Sequence, residues 1–142
     1  MLSKKTYPKE YISNCRAKVD KDVSAFKSLA IILNNDNQEL NKVLKTFEQQ
    51  YFNNMVLVIE TFFIHRMRGK EGKDGNPLNE VRMLCNSIME NNGKMAEEKS
   101  IKYKPEYSVL KYQIGDEIKL NQSDFAKLSE AFFIDLENKY LE

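Results

Sequence analysis

Between Leu40 and Phe62, the apolar residues Leu40, Val43, Leu44, Phe47, Tyr51, Met55, Ile59 and Phe62 recur at helical spacing. Steps of three and four keep such residues on one side of a 3.6-residue helix. Asp36 followed by Glu39 matches a capping box and predicts where this helix starts, and the pattern continues to about Met67. At 1.5 Å per residue, about 30 residues span ~45 Å. A compact domain of 142 residues has a diameter of only about 37 Å. A helix of that length must kink, project, or pack against another chain. The run Met55-Val56-Leu57-Val58-Ile59 is apolar on more than one face, which favours a central or self-associating helix.

Three further segments carry the same periodicity. The first runs from about Pro8 to Leu33, with Ile12, Cys15, Val19, Val23, Phe26, Ala30 and Leu33 along one face. Pro8 suits a first turn, and the cluster Asn34-Asn35-Asp36-Asn37 breaks the helix. After the glycine-rich stretch Gly69 to Gly75, Asn76 is a good N-cap with Pro77 at the first helical position. Leu78, Val81, Cys85 and Ile88 give this third helix its apolar face, and Asn91-Asn92-Gly93 predicts a left-handed end. The last helix is capped by Asn121 with Asp124, and Leu120 can staple onto Phe125.

From Ser100 to Leu120 the pattern leans towards strand. A three-residue turn at Gly115-Asp116-Glu117 would pair Ile114 with Ile118 and Tyr112 with Leu120, all four on one face. The expected fold is therefore one mainly α domain over residues 1–142: a four-helix bundle-like arrangement with a small β-hairpin before the C-terminal helix.

Composition excludes several classes. A formal charge of +1 gives no whole-molecule grip on nucleic acid or anionic lipid, so any such contact must come from a local patch. The longest apolar stretch, Met55 to Ile64, is interrupted by Glu60 and Thr61 and is too short to span a bilayer. The N-terminal MLSKKTYPKEY has no apolar core of a signal peptide. Cys15 and Cys85 sit in apolar patterns without a CxxC partner and read as reduced packing residues, which suits the cytoplasm. One histidine and two distant cysteines fall short of a zinc site, and no cofactor motif is present.

The chemically suggestive corner is where the second helix meets the third. His65, Arg66, Arg68 and Lys73 precede the free N–H groups expected after Asn76, and a helix start attracts anions. These five residues form the candidate anion-binding set, with no catalytic residue and no metal assigned. Glu60, inside the most apolar part of the second helix, requires a cation if buried; Arg16 or Arg82 could supply it.

The run EGKDGNPLNEVRMLC from Glu71 to Cys85, with FFIHRMRG before it and GDEIKLNQSDFAKLSEAFF after it, resembles segments of a group of small bacterial proteins. That resemblance covers roughly the second half of the chain and implies a bacterial or phage source, without an activity. The His/Arg cluster on a helical bundle also invites comparison with helical ribonucleases of the HEPN type. In their motif an Arg precedes the His by four to six residues, whereas here His65 precedes Arg66 and Arg68.

The leading expectation is a non-enzymatic binding or assembly module, a homodimer formed through the second helix. The alternative is a HEPN-like ribonuclease, or an anion- or nucleic-acid-binding protein, using His65, Arg66 and Arg68.

Overall fold

The computed structural model describes residues 3–34 and 36–142. It is mainly helical, in the order α1 (Lys9–Ile32), α2 (Gln38–Phe62), the single turn α3 (Arg68–Glu71), α4 (Pro77–Glu90) and α5 (Gln122–Tyr140). A short 3-10 turn, Pro105–Tyr107, lies in the long connection before α5. Each of α2 and α5 packs against all three other long helices. One apolar core joins Ile12 and Val19 of α1, Phe52 and Ile59 of α2, Leu78 and Leu84 of α4, and Phe125 and Phe132 of α5.

The helix boundaries follow the local chemistry with two shifts. Pro8 occupies the N-cap of α1 rather than its first turn. The break after α1 includes Asn35, which lies outside the described residues. Asn37, not Asp36, caps α2, its side-chain oxygen accepting the Leu40 N–H at 3.0 Å. At α4, Asn76 Oδ1 accepts the Asn79 N–H at 2.9 Å with Pro77 following, as expected. The helix ends through Asn92 and Gly93, both at positive φ, with the Gly93 N–H donating to Ser87 O. At α5 both halves of the capping box form between Asn121 and Asp124.

The first correction concerns the end of α2. It stops at Phe62, five residues before the expected Met67. The N-terminal segment competes for the backbone there: Lys4 N–H donates to His65 O at 2.7 Å, and Met67 N–H donates to Lys4 O at 2.8 Å. Phe63 meanwhile leaves the helix to fill an aromatic cluster with Tyr7, Phe132 and Phe133. The helix is 25 residues long, or ~37 Å, so it matches the expected diameter and length alone does not force it beyond the domain.

The second correction concerns the hairpin, which does not form. A ladder needs free N–H groups, and side chains take them here. Glu80 accepts the N–H groups of Val109 and Leu110 at 2.8 and 2.9 Å. Ser108 Oγ accepts that of Lys111, and Asp116 Oδ2 that of Gln113. Residues 115–118 bond instead to residues 93–95 through an isolated antiparallel bridge, Lys94 to Glu117. The four residues expected on one face are split: Ile118 and Leu120 are buried and Ile114 is 51% exposed.

Burial along α2 is uneven. All its buried residues, Phe52, Met55, Val56, Ile59 and Glu60, lie in its second half. From Gln38 to Tyr51 none is buried, and α1 likewise buries nothing beyond Phe26. The α1–α2 end is thus the half-buried margin of the core, where Ala30 and Leu44 pack against it and Glu48 accepts the Gln122 N–H of α5 at 2.8 Å. Stacking of Phe26 on Phe47 and the Tyr51 hydroxyl donating to Asp22 O hold the two helices together.

Candidate functional site

The turn that ends α2 decides how the predicted corner is used. His65 and Arg66 are adjacent, and the backbone between them points one side chain out and the other in. His65 is exposed, and its imidazole makes no hydrogen bond among the described residues, whereas the Arg66 side chain is fully buried. Arg66 therefore does not face an external anion. Its Nε donates to Glu71 Oε1 at 2.9 Å, Nη1 to Phe63 O at 3.1 Å and Nη2 to Leu78 O at 3.3 Å.

Arg66 belongs to a buried four-charge cluster. Glu71 Oε1 also accepts from Arg82 Nη2 at 2.7 Å, and Oε2 accepts from Arg82 Nε at 3.1 Å and from Asn79 Nδ2 at 2.7 Å. Glu60 stands between the two arginines, Oε1 at 3.0 Å from Arg66 Nη2 and Oε2 at 3.7 Å from Arg82 Nη1. The Oε1 approach is close but off the hydrogen-bonding direction, and that oxygen has no hydrogen-bond partner. Two cations and two anions cancel, so the cluster carries no spare charge for a ligand. It ties together the end of α2, α3 and α4. Lys139 extends it to α5 by donating to Glu71 O at 3.0 Å, and Tyr140 by donating its hydroxyl to Met67 O at 2.6 Å. Burial pushes the Glu71 carboxyl up, but the Arg82 hydrogen bond, the charges of both arginines and the Asn79 bond outweigh it, and its pKa falls below the usual 4.5.

The remaining members of the predicted set do not assemble around an opening. Asn76 is taken up by its own turn: its oxygen caps α4 and its amide donates to Glu71 O and Asp74 Oδ1, both at 2.7 Å. Arg68 and Lys73 are exposed, and the Lys73 carbonyl accepts the Lys102 N–H. Arg68 acts electrostatically on Glu98. Glu60 does find a cation in Arg82, as one of the two expected candidates. Arg16 instead pairs with Glu130 and Glu137 of α5. Arg66 and Glu71 were the missed partners. The available signal was Glu60 itself, because a carboxylate inside an apolar helix calls for cations nearby in the chain.

His65 faces a different feature. With Lys4 it lines a groove of about 550 Å³ between the N-terminal segment, the start of α1 and the end of α2, walled by Tyr7, Tyr11, Phe62 and Ile64. Tyr7 and Tyr11 stack at 5.8 Å, and the Tyr11 hydroxyl donates to Phe62 O at 2.6 Å. Among the described residues no carboxylate lines this groove.

At the other end of α2 several apolar side chains are exposed among polar ones. Ile31, Ile32, Val43 and Phe47 are exposed, Ile32 at 78% and Val43 at 61%, and Leu29 borders them. Isolated exposed apolar residues are ordinary; here several fall near the same end of α1 and α2. Among the described residues no group of three or more His, Cys, Asp or Glu side chains is placed to hold a metal ion. Among the described residues no helix is long and apolar enough to cross a membrane. No protein family, curated protein or solved structure matches the chain.

Proposed function

We propose that this chain is an assembly module whose partner is a second copy of itself, docked through the α1–α2 end. The observation that carries this reading is the absence of any buried residue over Gln38–Tyr51, a stretch that nevertheless holds Leu40, Val43, Leu44 and Phe47. A helix half that keeps an apolar stripe but buries none of it fully, with Leu40 and Leu44 only half-buried and Val43 and Phe47 exposed, is suited to burial against another surface.

The exposed charges on this end are of both signs: Asp36 and Glu39 at the tip, Lys42 and Lys45 beside Val43, and Lys21 next to Asp20 two turns back along α1 from Leu29. A face carrying both signs can pair with a copy of itself. In an antiparallel two-fold contact centred on Leu29 and Val43, the tip of each copy reaches the Lys21 region of the other. A two-fold contact forms every such pairing twice. The alternative, an RNA-cleaving or anion-binding corner, needs Arg66 at the surface, and Arg66 is enclosed in the ion cluster.

Sedimentation equilibrium at tens of micromolar tests the proposal. The wild-type chain is expected as a dimer and the double variant Ile32→Glu/Val43→Glu as a monomer with an unchanged circular dichroism spectrum. Burying a Val or Ile side chain contributes about 1.5–3 kcal/mol, so the double substitution should weaken dimerisation at least about a hundredfold. A wild-type monomer across that range rejects the reading.

A further inference from the structure

The groove beside His65 is separate from the proposed contact surface and owes nothing to it. Its walls are mostly aromatic: Tyr7, Tyr11 and Phe62, with Ile64 exposed at the rim. Stacked Tyr7 and Tyr11 both meet the buried Phe63 ring edge-on, at 5.0 and 5.6 Å, so the wall is a fixed aromatic surface. Its volume of about 550 Å³ lies within the range of roughly 300–1,000 Å³ typical of small-molecule sites.

Two basic groups stand at the groove, Lys4 and His65, and among the described residues no acid lines it. Neither side chain is in an ion pair among the described residues. The neighbouring cation Lys70 is directed elsewhere, donating to Lys5 O at 2.6 Å and lying 5.4 Å from the Tyr140 ring centre. The Tyr11 hydroxyl hydrogen is already given to Phe62 O, and the Tyr7 hydroxyl, although without a hydrogen-bond partner, is buried, so the exposed nitrogen donors left for a ligand are those of Lys4 and His65. An apolar wall with a lysine ammonium and an imidazole donor at its edge selects a molecule with a flat apolar body and one anionic end. We infer that this groove binds a small aromatic carboxylate, its ring against Tyr7, Tyr11 and Phe62 and its carboxylate between Lys4 and His65.

The test is a titration of the 15N-labelled protein, followed by amide shifts, with three probes sharing one ring system. These are 2-naphthylacetate, the neutral 2-(2-naphthyl)ethanol and the cationic 2-(2-naphthyl)ethylamine. The acetate is expected to shift amides of residues 4–11 and 61–65 and to bind about fivefold more tightly than the alcohol, the scale of exposed ion pairs. The amine should bind more weakly than either. In Lys4→Gln/His65→Gln the acetate should lose its advantage while the alcohol binds as before. Ile64→Glu, at an exposed rim position, should weaken the acetate further. Equal binding of acetate and alcohol to the wild-type chain overturns the proposal, as do shifts centred outside these segments, or none at millimolar probe.

Discussion

Glu71 and Glu80 stand nine residues apart, and both are shut away from solvent. They respond to burial in opposite directions. For each, loss of water is the largest single influence and pushes the carboxyl up. At Glu71 two guanidinium groups and an amide reverse that influence, and the pKa drops below the ordinary 4.5. At Glu80 the direct partners are the backbone N–H groups of Val109 and Leu110, helped electrostatically by Lys111, and the pKa stays above it. Neither is reached by solvent, so what differs most visibly is the partner. Full counter-charges compensate a buried carboxylate here, and two peptide dipoles fall short.

The largest predicted effect removes a counter-charge. Arg66→Ala leaves Glu60 and Glu71 with Arg82 alone, and breaking a buried pair costs about 3–5 kcal/mol. Against a total stability of about 5–15 kcal/mol, urea denaturation should show a large fall in midpoint, or no folded baseline. A loss under about 1 kcal/mol, the range of surface pairs, would mean that the cluster is water-filled and the contrast with Glu80 overstated.

Next in size is a change in the shell around Glu71. Gly75 has φ +87°, and an added Cβ would stand 2.7 Å from Lys102 O. Its N–H also donates to Asn79 Oδ1 at 3.0 Å, which helps aim the Asn79 amide at Glu71. Gly75→Ala should cost about 2 kcal/mol from left-handed strain and crowding, measured in the same denaturant series.

Smaller again, and dependent on pH, is Glu80→Gln. The amide keeps one acceptor but turns a donor towards the second N–H, a mismatch of about 1–2 kcal/mol. Because the folded pKa of Glu80 is raised, the stability it contributes is present below the unfolded value and is lost as pH rises through the folded one. The penalty of Glu80→Gln should therefore shrink towards higher pH. Glu71→Gln should behave oppositely, with a full penalty at neutral pH that shrinks as pH falls through the lowered value. The smallest effect belongs to His65→Ala. Beside Arg66 in sequence but exposed, it should change stability by no more than about 0.5 kcal/mol.

The same distinction explains what could be read from the sequence. Helix starts depend on near neighbours, so Asn76-Pro77 and Asn121 with Asp124 were legible. Features set by distant chain were not. The end of α2 is fixed by Lys4, far away in the chain, and the lost hairpin by Glu80, whose side chain holds the Val109 and Leu110 amides. Arg66 was misread for a related reason. Periodicity shows which residues share a helical face, but Arg66 lies past the helix end, where the turn after Phe63 sets its direction inward. The need of Glu60 for a cation was legible, and Arg82 was one of its two expected donors. Its second partner, Arg66, had been placed at the surface.

The most direct measurement follows the two carboxyl carbons by 13C NMR from pH 2 to pH 8, in protein labelled at glutamate and assigned with Glu71→Gln and Glu80→Gln. Glu71 is expected to titrate below 4.5 and Glu80 above it. Both midpoints on the same side of that value would contradict the claim that partner, not depth, sets the ionisation of these buried acids.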